Sequence, residues 1–431
     1  MTLATPITVI RGRFLDIQKT VAQANQIADQ VRYLEDGVLI TEQGKIRWFG
    51  TWNDAQDHLP INIEIQHYPE QLIIPGMIDT HIHFPQTEMV GAYGEQLLSW
   101  LNTYTFPTEI QFKDKSYASE IAKFFVNELL KNGTTTALVF CTVHPESVDA
   151  LFEAAEQHQM RLIAGKVMMD RHAPEALCDS ADSSYDDSKA LIEKWHGQGR
   201  ALYAITPRFA PTSTPEQLER AGQLKAEYPD VYVHTHLSEN KDEIAWVKDL
   251  FPAQKGYLDV YHHYGLTGQR SVFAHCVHLE DAEWQCMHET DSAIAFCPTS
   301  NLFLGSGLFP LNKTWQQQVK VGLGTDVGAG TSFSLLQTVN EAYKVQQLQG
   351  DKLSAYESLY HATLGGAKAL DLDDKLGNFN VGKEADFVVL NLKPTALQQL
   401  RQSRSQSIED SLFALFTMGD DRNVEATYIY G

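Results

Sequence analysis

The chain has 431 residues, of which 43% are hydrophobic, and 34 basic against 55 acidic side chains give a formal net charge of −21. This apolar content is sufficient for one large domain or for two to three ordinary ones. An acidic surface of this strength repels nucleic acid and anionic membranes, so we expect neither as a partner and favour a small neutral or cationic substrate.

Two features of the sequence argue against membrane insertion and export. No uninterrupted apolar run approaches 18 residues, and residues 1–6 lack a basic region followed by an apolar stretch. The five cysteines form no Cys-x-x-Cys pair and are scattered along the chain at Cys141, Cys178, Cys276, Cys286 and Cys297. An odd, scattered set is typical of reduced thiols, so we expect a cytoplasmic location.

The two ends of the chain differ from its middle. Strand-like segments lie near the start at residues 6–12, 37–41 and 45–48, and near the end at residues 385–392 and 425–430. We expect residues 1–74 and 377–431 to form together a small β-sandwich domain. Residues 75–376 then form the catalytic domain.

The middle of the chain alternates short apolar runs with amphipathic segments. Eight apolar runs cover residues 76–84, 134–141, 161–170, 201–209, 231–237, 271–279, 293–298 and 320–327. Helical periodicity lies between or after them at residues 121–131, 147–157, 188–195, 215–228 and 335–348. Together they predict an α/β fold, a closed (β/α)8 barrel of the TIM type. An open doubly wound sheet is the alternative, although no Gly-x-Gly-x-x-Gly follows the first strand.

The first apolar run ends in two histidines, His81 and His83. Side chains two residues apart on a strand share a face, so both imidazoles could bind one cation. Catalytic groups of such barrels lie at the carboxyl ends of the strands. The other predicted strand ends carry Arg208, His236, His275 and Asp326.

Imidazole and carboxylate groups at these ends predict a metal site. Three imidazoles and one carboxylate suit Zn²⁺ or Fe²⁺ and leave a position for a water, whose pKa then falls toward neutrality. The predicted ligands are His81, His83, His236 and Asp326. His234 shares a strand face with His236 and is the alternative; we prefer His236 because Glu239 follows it by three residues and can move protons beside the metal.

Three further residues could recognise a flat heterocycle. Gln86 offers an amide donor and acceptor, Arg208 offers a fork of donors to a carbonyl oxygen, and Phe209 offers an aromatic face. A solvated loop position for Gln86 and a structural ion pair for Arg208 are the alternatives. We expect His144 and His278 to serve loop structure.

These residues and motifs resemble the amidohydrolase superfamily. The shared frame consists of residues 75–83, His236, His275, residues 324–326 and residues 382–388. More specific motifs lie at residues 83–88, 91–98, 104–109, 236–240 and 297–302, and they are similar to those of members that deaminate guanine. The resemblance covers essentially the whole chain.

The resemblance implies hydrolytic deamination of guanine to xanthine and ammonia, in purine catabolism or salvage, by a homodimer. It implies one zinc per chain on the predicted ligands, because the strand-four region from Ile205 to Arg208 has no lysine that could bridge two metals. It assigns proton transfer to Glu239 and Asp326 and orientation of the water or intermediate to His275. Substrate contacts are implied for His83, Phe84, Pro85, Gln86, Arg208, Phe209, His236, Glu239 and Asp326.

Two other functions are left open at this point. One is deamination or hydrolysis of another purine, a pterin or a triazine by the same machinery. The other is a zinc-binding scaffold without catalysis, against which the spacing from His236 to Glu239 argues, because a scaffold gains nothing from a proton-transfer group.

Overall fold

A computed structural model describes residues 7–93 and 97–431, without the side chain of Leu97. The chain start at residues 1–6 and the part of the 91–98 motif at residues 94–96 lie outside the described residues. The strands are β1 (Ile7–Ile17), β2 (Val31–Glu42), β3 (Lys45–Thr51), β4 (Ile65–Pro75), β5 (Met77–His83), β6 (Thr134–Phe140), β7 (Arg161–Gly165), β8 (Val167–Met168), β9 (Leu202–Pro207), β10 (Tyr232–Leu237), β11 (Ser271–His275), β12 (Ala293–Phe296), β13 (Lys320–Leu323), β14 (Phe387–Leu390) and β15 (Val424–Tyr428).

The helices follow the same chain order. They are α1 (Trp52–Ala55), α2 (Leu97–Trp100), α3 (Phe106–Glu109), α4 (Lys115–Lys131), α5 (Pro145–Glu156), α6 (Ala181–Trp195), α7 (Pro215–Glu227), α8 (Lys241–Leu250), α9 (Tyr257–His263), α10 (Asp281–Glu289), α11 (Pro298–Phe303), α12 (Leu311–Gln317), α13 (Leu335–Leu348), α14 (Ala355–Ala362), α15 (Leu364–Ala369), α16 (Ala396–Gln402) and α17 (Ile408–Met418). Within residues 7–93 and 97–431, no helix has the length and apolar character needed to span a bilayer.

Helix starts depend on capping side chains. α7 begins as predicted because Thr214 Oγ1 accepts a hydrogen bond from Gln217 N at 3.2 Å. α4 starts six residues before its periodic segment, where Asp114 Oδ1 accepts from Ser116 N at 2.8 Å. α6 likewise starts seven residues early, behind the cap Ser180. The polar first turns of these two helices carry little apolar periodicity, so the pattern indicated only their later turns.

The predicted parallel barrel is confirmed. Its strands follow the order β5-β6-β7-β9-β10-β11-β12-β13, and the short β8 pairs with β9. The ring is joined after its last strand by backbone hydrogen bonds from Asp326 N to His81 O, at 2.9 Å, and from His83 N to Val327 O, at 2.8 Å. These bonds bring the end of β5 against the segment after β13. The predicted histidines and aspartate therefore meet at one end of the ring.

Strands from both ends of the chain pair in one sheet, as predicted. Its order is β15-β14-β4-β1-β2-β3. β14 pairs antiparallel with β4, with Phe387 opposite Pro75 and Val388 opposite Ile74. Strands more than 300 residues apart in the chain are therefore hydrogen-bonded neighbours. The domain boundaries at residues 74 and 377 stay a prediction.

Buried ion pairs connect the segment before β14 to the barrel. Glu384 Oε1 lies 2.6 Å from Arg161 Nη2, and Glu384 Oε2 lies 2.6 Å from Arg200 Nη2. Arg200 also pairs with Asp386. Arg161 begins β7, so these charges tie residues of the 382–388 motif to the barrel wall, and the motif has a structural role.

Candidate active site

Four side chains aim their donor atoms at one point at the carboxyl end of the barrel. His83 Nε2 lies 3.2 Å from His81 Nε2, 3.3 Å from His236 Nε2 and 3.4 Å from Asp326 Oδ1. His81 Nε2 lies 3.2 Å from the same oxygen of Asp326. Ligands bound about 2.0–2.1 Å from a zinc ion lie roughly 2.9–3.4 Å from one another. His83 Nε2 therefore lies at the spacing expected of ligands to one divalent cation from each of the other three predicted donors.

The ring nitrogens Nδ1 of His236 and His81 point away from the other donors and contact other groups, so Nε2 of each ring faces the donor set. His236 Nδ1 lies 2.7 Å from the carbonyl oxygen of Arg208, to which it donates. His81 Nδ1 lies 2.7 Å from His234 Nε2. An imidazole that donates through Nδ1 keeps the lone pair on Nε2 that a metal needs. His234, the alternative ligand, therefore lies behind His81 as its hydrogen-bond partner.

Burial sets the protonation states of the donors. It lowers the pKa of His83 to about 3 and lowers the pKa of His236 well below its ordinary value. Burial alone would raise the pKa of Asp326, but the neighbouring His81 and His83 hold that pKa well below its ordinary value. Neutral imidazoles and an ionised carboxylate are the forms that bind a divalent cation, so the donor set fits one.

Asp79 supports the donors from beneath, a role that the sequence motif did not indicate. Its Oδ2 accepts from Thr325 Oγ1 at 2.5 Å, and its Oδ1 accepts from Thr325 N and His81 N, both at 3.1 Å. Asp79 is completely buried, which raises its pKa to about 7. Asp79 thereby connects the backbone of the ligand His81 to Thr325, the residue before the ligand Asp326.

Glu239 and His275 lie beside the donors. His275 Nε2 is 3.5 Å from Glu239 Oε2 and 3.7 Å from Asp326 Oδ2. Its Nδ1 lies 2.9 Å from Asn301 Oδ1, and Glu239 Oε1 accepts from Ser306 Oγ at 2.9 Å. Burial, reinforced by the charge of Asp326, raises the pKa of Glu239 to about 8. Glu239 therefore keeps its proton to a higher pH than an exposed glutamate does, and it can act as a proton donor.

A cavity opens over the donor atoms, with about 420 Å³ of space between its walls that includes open solvent. Its wall includes the predicted residues Gln86, Arg208, Phe209 and Glu239, together with Trp100, Leu101, Glu243, Leu304 and Ala329, which the sequence did not single out. Aromatic and aliphatic walls with a few polar groups suit one flat heterocycle.

Phe84, in the predicted substrate segment, points away from the cavity. In the described part of the chain, His83 and Gln86 line the cavity, whereas Phe84 and Pro85 do not. The ring of Phe84 packs edge-on against Phe112, with 5.0 Å between centroids. Adjacent side chains at the end of a strand point to opposite faces, so the residue next to His83 packs outward into the apolar core.

Glu109 joins Gln86 and Arg208 in a buried cluster. Arg208 Nη1 lies 2.7 Å from Glu109 Oε2 and 3.0 Å from Glu109 Oε1. Gln86 Nε2 donates to Glu109 Oε1 at 3.3 Å, and Gln86 Oε1 accepts from Gly328 N at 3.1 Å. Arg208 thus forms an ion pair and also lines the cavity. Glu109 closes the motif at residues 104–109, but nothing in that motif indicates its partner.

Comparison with known proteins places these features in a family. A profile of the amidohydrolase family matches residues 72–431. Guanine deaminase from Escherichia coli strain K12 is 63% identical over 99% of this chain and 97% of its own length. A solved structure of E. coli guanine deaminase has a TM-score of 0.96 at 61% identity, covering 99% of this chain and 98% of that one. A guanine deaminase structure from C. acetobutylicum, with guanine bound in its active site, has a TM-score of 0.89 at 30% identity and covers 99% of both chains.

Proposed function

The chain belongs to the amidohydrolase family, and we propose that it deaminates guanine hydrolytically to xanthine and ammonia with one zinc ion per chain. The guanine deaminase activity follows from 63% identity over nearly the whole chain to a relative of that name. The observation that carries the metal assignment is the donor set, in which His83 Nε2 lies 3.2–3.4 Å from a donor atom of each of the other three residues at the base of the cavity. Nitrogen-rich sets of this kind favour zinc, with Fe²⁺ the next candidate.

The metal would be held by His81, His83, His236 and Asp326. When bound, it supplies the nucleophile by lowering the pKa of a coordinated water. The rest of the hydrolysis is proton movement. Addition of water at C2 of guanine requires a proton at the adjacent ring nitrogen, and Glu239, whose pKa is raised by burial, is the group that delivers one.

The departing amine also needs a proton. The ionised carboxylate of Asp326 accepts a proton from the water and passes it to the exocyclic nitrogen, which then leaves as ammonia. His275, oriented by Asn301, directs Nε2 between Glu239 and Asp326 and can hold the reacting oxygen by a hydrogen bond. As the amine leaves, the hydroxyl group at C2 becomes a carbonyl and its proton returns to Glu239. Both protons of the water have then reached nitrogens of the substrate, and xanthine and ammonia remain.

Substrate specificity depends on cavity residues that are not metal ligands. Arg208 and Gln86 read the O6 and N1 side of guanine, and Phe209 contributes an aromatic face. A purine without the carbonyl oxygen would leave these buried polar groups unpaired, at a cost of roughly 1 to 3 kcal/mol for each group. Adenine is therefore rejected by desolvation as well as by lost hydrogen bonds.

Two further parts of the proposal concern the protein as a whole. A cytoplasmic location is supported by five cysteines that are all unpaired in the structure. A homodimer is supported by the family resemblance alone. Sedimentation of the purified protein tests it, and a mass of about one chain would overturn it.

The activity is tested by adding guanine to the purified, zinc-loaded protein and following ultraviolet absorbance and ammonia release. We expect xanthine and ammonia in equal amounts, loss of activity on chelation, and one retained equivalent of metal by elemental analysis. No xanthine from fully loaded protein would overturn the function. Two retained equivalents would overturn the mononuclear site.

A further inference from the structure

Glu109 is completely buried beside the cavity, at the end of α3. Among residues 7–93 and 97–431, its carboxylate accepts hydrogen bonds only from N–H donors. Arg208 Nη1 contacts both of its oxygens, and Gln86 Nε2 contacts Oε1. We propose that Glu109 determines substrate specificity as a positioning residue, holding Arg208 and Gln86 in the orientation that recognises the carbonyl side of the purine. The inference rests on the proposed function, which it extends to a residue that does not line the cavity.

The guanidinium of Arg208 contacts Glu109 on one side and the cavity on the other. Its Nη1 is used by Glu109, whereas its Nε and Nη2 have no hydrogen-bond partner among residues 7–93 and 97–431. Arg208 lines the cavity, so these remaining N–H groups are available to a ligand. A guanidinium is planar, and fixing one nitrogen together with the plane fixes the directions of the others. The ring of Phe106, with its centroid 5.5 Å from Arg208 Cζ, packs against the same group.

Gln86 is held in a similar way from two sides. Its Oε1 accepts from Gly328 N at 3.1 Å, and its Nε2 donates to Glu109 at 3.3 Å. The amide therefore cannot rotate by 180° without placing N–H against N–H and oxygen against oxygen. Glu109 and Gly328 thus fix the positions of the amide oxygen and nitrogen that a bound purine contacts.

A carboxylate is the side chain that this position requires. The contacts with Arg208 and Gln86 need an acceptor at each oxygen, and a glutamine would place its own N–H against one of those donors. Glu109 also neutralises a guanidinium that is only 2% exposed. Without that counter-charge a buried arginine is strongly destabilised and moves toward water when it can. We therefore expect the loss of Glu109 to misalign Arg208 and leave the metal donors intact.

Two unreactive purines isolate this effect. Hypoxanthine has the carbonyl oxygen and N1–H of guanine but no amino group to lose, and purine lacks the oxygen as well. Each is measured as a competitive inhibitor of guanine deamination. The inhibition constant of purine divided by that of hypoxanthine then measures how strongly the site recognises the carbonyl side. In Glu109→Gln this ratio should fall at least roughly tenfold toward unity, as for a lost hydrogen bond to a charged donor, while metal content is unchanged.

Glu384→Gln is the matched control. It breaks a buried ion pair with Arg161 and Arg200, away from the cavity, and should lower stability without changing the inhibitor ratio. Glu109→Asp is the second variant should Glu109→Gln fail to fold. It keeps the charge but draws both oxygens back by one methylene, and should lower the ratio at least roughly threefold.

An unchanged ratio in a folded Glu109→Gln, or in Glu109→Asp if only that variant folds, would overturn the inference. The same drop in Glu384→Gln would also overturn it, because the effect would then follow from any lost ion pair. Failure of the unmodified chain to deaminate guanine would overturn the proposed function. Normal guanine turnover with an unchanged ratio would overturn the role of Glu109 alone.

Discussion

Replacing Glu239 with glutamine separates proton transfer from metal binding. Glutamine has the same size and keeps an acceptor for Ser306 Oγ, which lies 2.9 Å from Glu239 Oε1. Glu239 is not one of the four converging donors, so metal content should persist. A general acid contributes about 10² to 10⁴ in rate, or roughly 3 to 5 kcal/mol of the barrier, and we expect kcat for guanine to fall by that factor.

The same substitution has a pH-dependent effect on stability. Burial raises the pKa of Glu239 from 4.5 to about 8, so the folded chain keeps a proton that the unfolded chain releases. The free energy of unfolding therefore falls as the pH rises from about 4.5 to 8, and Glu239→Gln removes this fall. In metal-free protein the variant should gain roughly 1 to 4 kcal/mol over the parent above pH 8, and much less near pH 4.5.

Steady-state guanine turnover, elemental analysis and thermal unfolding across this pH range measure the three consequences. Ser300→Ala serves as a control, because Ser300 Oγ donates to the backbone oxygen of Cys297 and does not line the cavity. Near-normal turnover in Glu239→Gln would remove this group from the mechanism. A stability difference that is the same at pH 4.5 and pH 8 would refute the burial of a protonated carboxyl.

Three further substitutions test other parts of the site. His83→Ala removes a donor 3.2–3.4 Å from three others, so retained metal by elemental analysis and guanine turnover should fall together, whereas His144→Ala should change neither. Arg208→Ala should lower kcat/KM for guanine at least roughly tenfold without metal loss. The loss of kcat/KM should be much smaller for 2-aminopurine, which lacks the carbonyl oxygen. Equal losses for the two substrates would show that Arg208 has a general role in the pocket. A Cβ at Gly324 would lie 2.9 Å from both His81 Cβ and Cys297 Sγ. Gly324→Ala should therefore lower the free energy of unfolding by roughly 1 to 3 kcal/mol, measured by denaturant unfolding. An unchanged unfolding midpoint would contradict that packing.

Patterns along the chain were sufficient to predict the architecture. Eight apolar runs separated by room for crossover helices predict a barrel, because strands and helices differ in period and parallel strands need long connections. The metal donors could be proposed for the same reason. A barrel places the carboxyl ends of all its strands at one face, so His81, His236 and Asp326 must be neighbours although they are far apart in sequence.

The sequence by itself therefore determined the barrel, the sheet built from both ends and the residues at the strand ends, since these follow from local periodicity and residue type. Only the tertiary structure decided that Glu109 closes on Arg208, that Asp79 supports His81, and that Phe84 packs outward. These pairings depend on the directions of single side chains after distant segments have packed. Period and composition carry no information about such directions, because many sequences with the same pattern would place a carboxylate elsewhere.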